Sequence, residues 1–304
     1  MGERPAAAMW TLAVDAVTAE VVTALDEAGV DSLLLKGPSV AGWLYEDRAL
    51  RPYVDSDLLV DPAGVETARA TLAERGFRPE FGPLPHPGME SAPSYPWRRD
   101  AFVVDLHETL PGATADRPRT WAVLRAGASE EPVGGRTVAT LGEPARLAHV
   151  ALHAAHDVPT QPGPREDLRR ALALVPDEGW RSAAGVAADI GAPTAFAAGL
   201  GLLPEGRGLL ARLGLELDSS AERLLRRRDV PMLGGIERLS AARGTAAKAA
   251  ILRGELLPSA AFMRWWTPVA RRSRGGLLAA YAWRWAYLAR HAPAALRAWR
   301  RTSR

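Results

Sequence analysis

The sequence predicts an α/β half over residues 1–142, a mixed sheet with helices, followed by a mainly α-helical half over 143–304 that ends in a basic, tryptophan-rich segment. Three observations predict it. In the first half, short apolar runs of strand length ("DSLLLKG", "VDSDLLV", "AFVVDLHETL") alternate with stretches whose apolar residues recur at helical spacing. From Glu143 onward almost every segment is rich in Ala, Leu and Arg at that helical spacing. Gly and Pro interrupt this second half near 159–164, 204–208 and 231–235, as they do between helices.

Taken in order, residues 9–29 align Val14, Val17, Val21 and Leu25 on one side and end at Gly29, which predicts a helix. "DSLLLKG" reads as a short buried strand stopped by Gly37. "PSVAGWLYED" fits a helix with Pro38 in its first turn, where the missing amide donor is harmless. "VDSDLLV" is the second strand. "DPAGVETARATLAERGF" follows as a helix with Asp61 as N-cap, Pro62 at the first helical position and Gly76 as its stop. A proline-rich loop over roughly 82–97 leads to "AFVVDLHETL", a third strand by its β-branched and aromatic content. Two short strand-like pieces near 130–141 close this half.

With 304 residues, 47% of them hydrophobic and 24% charged, the chain has the make-up of a soluble globular protein with a large core. It has no cysteine, which excludes disulfides and thiolate metal sites. "MGERPAAAMWTLAVDAV" carries an acid and a proline early and makes a poor signal peptide. "GLLAAYAWRWAYLA" is broken by Arg284 and falls short of the roughly 20 residues of a spanning helix. The expectation is a cytoplasmic protein without stable membrane insertion. Ten arginines and no acid follow Glu255, so with +3 overall the first 255 residues carry −7. Such a tail either meets phosphate-rich partners or acidic lipid, or docks on its own acidic body. Only two of the 38 basic residues are lysines, and one of them, Lys36, ends the first strand.

The second strand raises the central question. In an extended chain Asp55 and Asp57 share one face, and two adjacent carboxylates repel unless a proton or a cation lies between them. The third strand supplies another inward carboxylate, Asp105. Three carboxylates from two strands, near a glycine turn that opens a helix, make a candidate hard-cation site. Magnesium prefers oxygen ligands and completes its shell with substrate phosphates, and two such ions clamp the attacking and leaving oxygens of a displacement at phosphorus. Gly37 would let the backbone approach a triphosphate, and the helix N-terminus offers amides to anions.

"LLLKGPSVAGWLYEDRALRPYVDSDLLVDPAGVETARATLAERGF", with "VVDLHETL" after it, resembles the nucleotidyltransferase fold superfamily. Within it, the chain looks like a bacterial branch of uncharacterised nucleotidyltransferase-like proteins. Shared features are the "LLKG" strand end, an arginine shortly before a D-x-D strand, a helix ending near "GF" and a later "DLH" strand. The resemblance spans residues 31–110 and extends loosely to "ARLAHVALHAAHD", "REDLRRAL" and "LLPSAAFMRWW". It implies Asp55, Asp57 and Asp105 as metal ligands for Mg2+, two ions in all, and Gly37 as the phosphate-side glycine. The superfamily signature has Ser or Gly directly after that glycine. Here Pro38 intervenes, so the contact expected of Ser39 is through its backbone amide.

Around this set, Lys36 points toward phosphate or is a strand-end surface lysine. Arg51 neutralises developing phosphate charge or pairs with Asp55 and Asp57. His107, two residues beyond Asp105 on the same face, is a candidate substrate contact or proton relay, and with Asp105 forms the expected catalytic pair. His149, His153 and His156 share one side of a helix as core or cleft-lining residues, zinc being a lesser alternative. Asp167 either faces the cleft or is a solvated helix acid.

The expected activity is a magnesium-dependent, nucleotide-binding transferase moving an NMP group from an NTP such as ATP to an unidentified acceptor: a small molecule, a peptide or tRNA. Alternatives are sugar transfer from a nucleotide-activated sugar to a peptide or small molecule, and a non-catalytic nucleotide-binding scaffold. Trp265, Trp266, Trp283, Trp285 and Trp299 among the late arginines either pack between helices or stack bases of an RNA acceptor.

Overall fold

A computed structural model of the chain describes residues 3–82, 93–156 and 163–302. Helix α1 (Glu3–Glu27) buries the predicted Val14, Val17, Val21 and Leu25, and Gly29 follows with φ 73°. By length and composition its stretch Ala7–Glu27 would suffice to cross a membrane, but half of it is buried inside the protein. Strand β1 (Ser32–Leu34), helix α2 (Pro38–Leu44) and strand β2 (Asp55–Val60) come next. The Asp61 side chain caps a 3-10 turn at Pro62–Gly64, accepting from the Ala63 amide at 3.0 Å, and helix α3 proper runs over Val65–Glu74.

Part of the expected loop at 82–97 is strand. After β3 (Arg78–Pro79), β4 (Ser94–Arg99) runs antiparallel to β5 (Phe102–His107). Pro96 hid it from the sequence pattern, since proline breaks a ladder; the alternation of Tyr95 and Trp97, both buried, is the signal that reveals it. Residues 83–92 of that loop lie outside the described residues. Helix α4 (Arg117–Ala126) and the two strands expected near 130–141, β6 (Ser129–Val133) and β7 (Arg136–Thr140), complete a seven-stranded sheet of order β3-β4-β5-β2-β1-β7-β6. β1 runs antiparallel to β2, and β2 parallel to β5. The mixed sheet followed by helices is the architecture expected from the sequence.

The helical part opens with α5 (Glu143–His156), α6 (Gly163–Leu174), α7 (Asp177–Asp189), α8 (Pro193–Leu200), α9 (Pro204–Leu213) and α10 (Ser219–Asp229). The chain condenses into two compact units, residues 1–78 with 93–222, and 79–92 with 223–304. The change to all-helical sequence at 143 therefore falls inside a unit. The reason is visible at α5, where buried Arg146 donates to the carbonyls of Leu141 and Ser39 and pairs with Glu131 of β6, tying the helix to the sheet.

The second unit contains α11 (Leu233–Ala241), α12 (Thr245–Leu256), α13 (Ala260–Trp266), α14 (Pro268–Arg272) and the long α15 (Arg274–Thr302). Its core gathers Met263, Ala270 and Ala280, with Phe262, Trp266, Leu277 and Tyr281 against them. The late tryptophans divide: Trp266 packs edge-on against Tyr287 at 6.0 Å, whereas Trp283 and Trp285 are exposed. The Trp265 side chain lies outside what is described.

Candidate active site

Register builds the site. Parallel pairing of β2 with β5 sets Asp57 beside Asp105 and Leu59 beside His107, so the acidic residues of both strands share one face of the sheet. The opposite face carries Leu58, Val104 and Leu106, all buried, which pins this register, because a one-residue slip would turn the acids into the core. Asp57, Asp105 and His107 each bring a ligand atom within 4.8 Å of the others. Asp55, on the same strand and two residues before Asp57, stands outside that group and is half-buried.

Two cationic or hydrogen-bonding side chains keep Asp57 ionised. Lys36 Nζ lies 2.8 Å from Asp57 Oδ1, and His107 Nε2 reaches the same oxygen at 3.1 Å. Burial opposes the charge on Asp57, yet Lys36 and His107 outweigh it and hold its pKa well below the usual range. Lys36 is thus no surface lysine: its side chain is 18% exposed, and burial, which disfavours the ammonium, is overcome by Asp57, Asp55 and Asp105. The other two carboxylates are less well compensated. Burial and then the Asp57 charge push Asp55 up to about 6, and burial raises Asp105. Asp105 Oδ1 and His107 Nδ1 are buried without a hydrogen-bond partner. An orphaned carboxylate oxygen among three acids suits a divalent cation, which would supply the missing charge.

Gly37 follows Lys36 with φ 69° and ψ −117°, a backbone conformation that favours glycine, and a Cβ there would meet the Tyr53 ring at 3.4 Å. Tyr53 is itself fixed by donating to Asp15 at 2.6 Å. Ser39 is fully buried in α2, its hydroxyl without a partner.

Arg51 pairs with neither Asp55 nor Asp57. Its Nε donates to Asp167 Oδ1 at 2.8 Å and its Nη2 to Oδ2 at 2.7 Å, a two-pronged bond, while Tyr45 donates to Oδ1 at 2.7 Å. Arg170 stacks over the Tyr45 ring at 4.2 Å. Asp167 is accordingly no solvated helix acid but a buried anchor on α6. The sequence carried only one hint, the pairing of "REDLRRAL" with an arginine before the D-x-D. Asp167→Ala is expected to lower stability by about 3 kcal/mol, because Arg51 would be left buried without its counter-charge. Denaturant midpoints measure it, and a loss below about 1 kcal/mol would show the pair to be a minor contributor.

His149 and His153 stack at 5.9 Å on α5. Burial, then the nearby Lys36 charge, lowers His149 to about 3 and His153 well below its ordinary value; burial lowers His156 too. His149 is buried, His153 half-buried and His156 exposed at the end of α5, and no zinc-type cluster of the three occurs among the described residues. Since the unfolded chain takes up a proton near 6.5 that folded His149 refuses until about 3, stability is complete above 6.5 and falls as pH drops through that window. The slope is about 1.4 kcal/mol per pH unit for one histidine. Asp55, raised in the folded state, works in the opposite sense between 3.8 and about 6. The comparison of wild type with His149→Asn isolates the histidine: urea unfolding from about pH 7 to about pH 4 should show the variant shallower by one proton. Equal slopes would reject a neutral buried His149.

With this geometry in view, residues 3–205 match the family described as uncharacterised nucleotidyltransferase. The matched stretch takes in the whole sheet, the acidic group and helices α5 to α8. Among solved structures the chain is similar to an antigenic nucleotidyltransferase-like protein from Paracoccidioides brasiliensis, with 16% identity and a TM-score of 0.36, covering 72% of this chain and 93% of that one. No curated protein matches.

Proposed function

This chain belongs to the uncharacterised nucleotidyltransferase family, and from that premise we propose that it is a magnesium-dependent enzyme moving an NMP group from an NTP to an acceptor in the cytoplasm. The observation that carries the reading is the β2–β5 register, which sets Asp57 beside Asp105 and leaves one Asp105 oxygen buried and unpaired.

Asp57 and Asp105, with Asp55 beside them, are the residues that would hold the metal. A magnesium ion held there would supply charge neutralisation for the phosphates and would lower the pKa of the acceptor hydroxyl. Lys36 keeps Asp57 ionised. The Gly37 turn would face the donor phosphates, with Ser39 buried behind it, and Arg51, oriented by Asp167, would offset the charge that develops on them. The acceptor oxygen bonds to the α-phosphorus, the bond to pyrophosphate breaks, and the acceptor proton passes to Asp105 or His107. Little else is asked of a phosphoryl-transfer site beyond positioning and charge.

The acceptor, whether small molecule, peptide or tRNA, is the open term, and one experiment addresses donor and acceptor together. The protein with Mg2+ is incubated with each NTP, each nucleotide sugar and a panel of acceptors, and products are weighed by mass spectrometry. A nucleotidyl increment that vanishes on chelation is expected. A hexosyl increment, or none with any NTP, would overturn the proposal.

A further inference from the structure

The arginine-rich C-terminal segment takes no part in the site above. α15 turns one side inward. Ala280, Leu288 and Ala295 are buried, and the buried Arg284 guanidinium donates to the Glu255 carbonyl at 3.0 and 2.7 Å while lying 5.6 and 5.5 Å over the Phe262 and Trp266 rings. An outer side carries Leu278, Ala282, Trp285, Ala289, Ala292 and Leu296 at alternating steps of four and three, which is one stripe along the helix, with Pro293 inside its last part. Leu278 is 72% exposed, Trp283 65% and Trp285 46%. Arg290, Arg297, Arg300 and Arg301 are exposed on the same helix, and no acid follows Glu255.

We propose that this outer face of α15 docks the protein on an anionic lipid surface. The apolar stripe extends about 27 Å along a convex rod, a shape that lies flat on a bilayer interface with its side chains among the upper acyl carbons. The arginines then sit at the depth of the lipid phosphates, and tryptophan is favoured at that boundary. Charge decides against a second copy on this face, because arginine would meet arginine. The stripe offers a single ring, Trp285, among leucines and alanines, which decides against RNA, since aliphatic side chains add nothing to base stacking.

The test floats the full-length protein with vesicles of phosphatidylcholine alone, or with roughly a third phosphatidylglycerol. Recovery is expected with the anionic vesicles only, reduced several-fold by high salt. Leu278→Glu with Trp285→Glu, both exposed positions, should abolish flotation with the melting temperature unchanged. Arg297→Glu with Arg301→Glu should reduce it by about fivefold per arginine or more. The proposal is overturned by a protein that stays unbound to both vesicles, or by both variants floating like wild type. A gel shift of homopolymer RNA without flotation would overturn it in favour of a nucleic-acid face. Dimerisation lost in the Leu278→Glu, Trp285→Glu variant, again without flotation, would overturn it in favour of self-association.

Discussion

Asp57→Asn is expected to abolish divalent-dependent NTP binding and turnover and also to destabilise the fold by about 3 kcal/mol. The two losses have separate causes. The first comes from removing a carboxylate of the proposed metal group, and the second from leaving the Lys36 ammonium in a half-dry site without its closest counter-charge at 2.8 Å. The neighbouring Asp55→Asn should behave differently. Asp55 is pushed up to about 6 by burial and by Asp57, so neutralising it relieves strain, and the fold should be unharmed or slightly firmer while metal-dependent binding weakens. Asp57→Asn combined with Lys36→Met should recover stability without activity. Calorimetric titration of Mg2+-NTP alongside denaturant unfolding on all four proteins reads both effects. Undiminished nucleotide binding in Asp57→Asn and Asp55→Asn alike would reject the metal site.

Asp105→Asn is expected to keep NTP affinity within a few fold yet lose turnover by about 10² or more, the order seen when a positioned proton acceptor is removed. Asp105 stands on β5 opposite Asp57, and the shortest contacts that hold Asp57, Lys36 at 2.8 Å and His107 at 3.1 Å, are made by other side chains, with Asp105 Oδ2 farther from the same His107 nitrogen at 3.7 Å. Its raised pKa and its unpaired Oδ1 mean that the neutral amide costs the folded state little. A purely structural Asp105, neutralised by Arg51, would predict lost stability with proportionate losses in binding and rate. The Arg51 guanidinium is instead bonded to Asp167, which removes that partner. Melting temperature, NTP affinity and single-turnover rate on one preparation distinguish the cases, with His107→Ala expected to have the smaller effect on rate. Wild-type turnover in Asp105→Asn would take it out of the mechanism.

Local sequence was enough to place β1, β2, β5, β6 and β7, the glycine turn and the face shared by Asp55 and Asp57, because each rests on short-range rules. Period-two burial makes Asp55 and Asp57 share a face, and the positive φ at Gly37 follows from the turn between β1 and α2. The same rules missed β4, where Pro96 masks an alternating Tyr95 and Trp97, and they gave no sign that Arg146 of α5 bonds back to Ser39 of α2. What only the tertiary structure decided is pairing across long separations. The sequence left Arg51 free to meet Asp55, Asp57 or phosphate, yet it binds an aspartate 116 positions away on α6. Lys36 was ambiguous between surface and site until the sheet brought Asp57 under it. In each case the side chain's chemistry was legible, but its partner was set by which element packs alongside, and a charge in a partly dry interior takes whichever counter-charge the fold delivers.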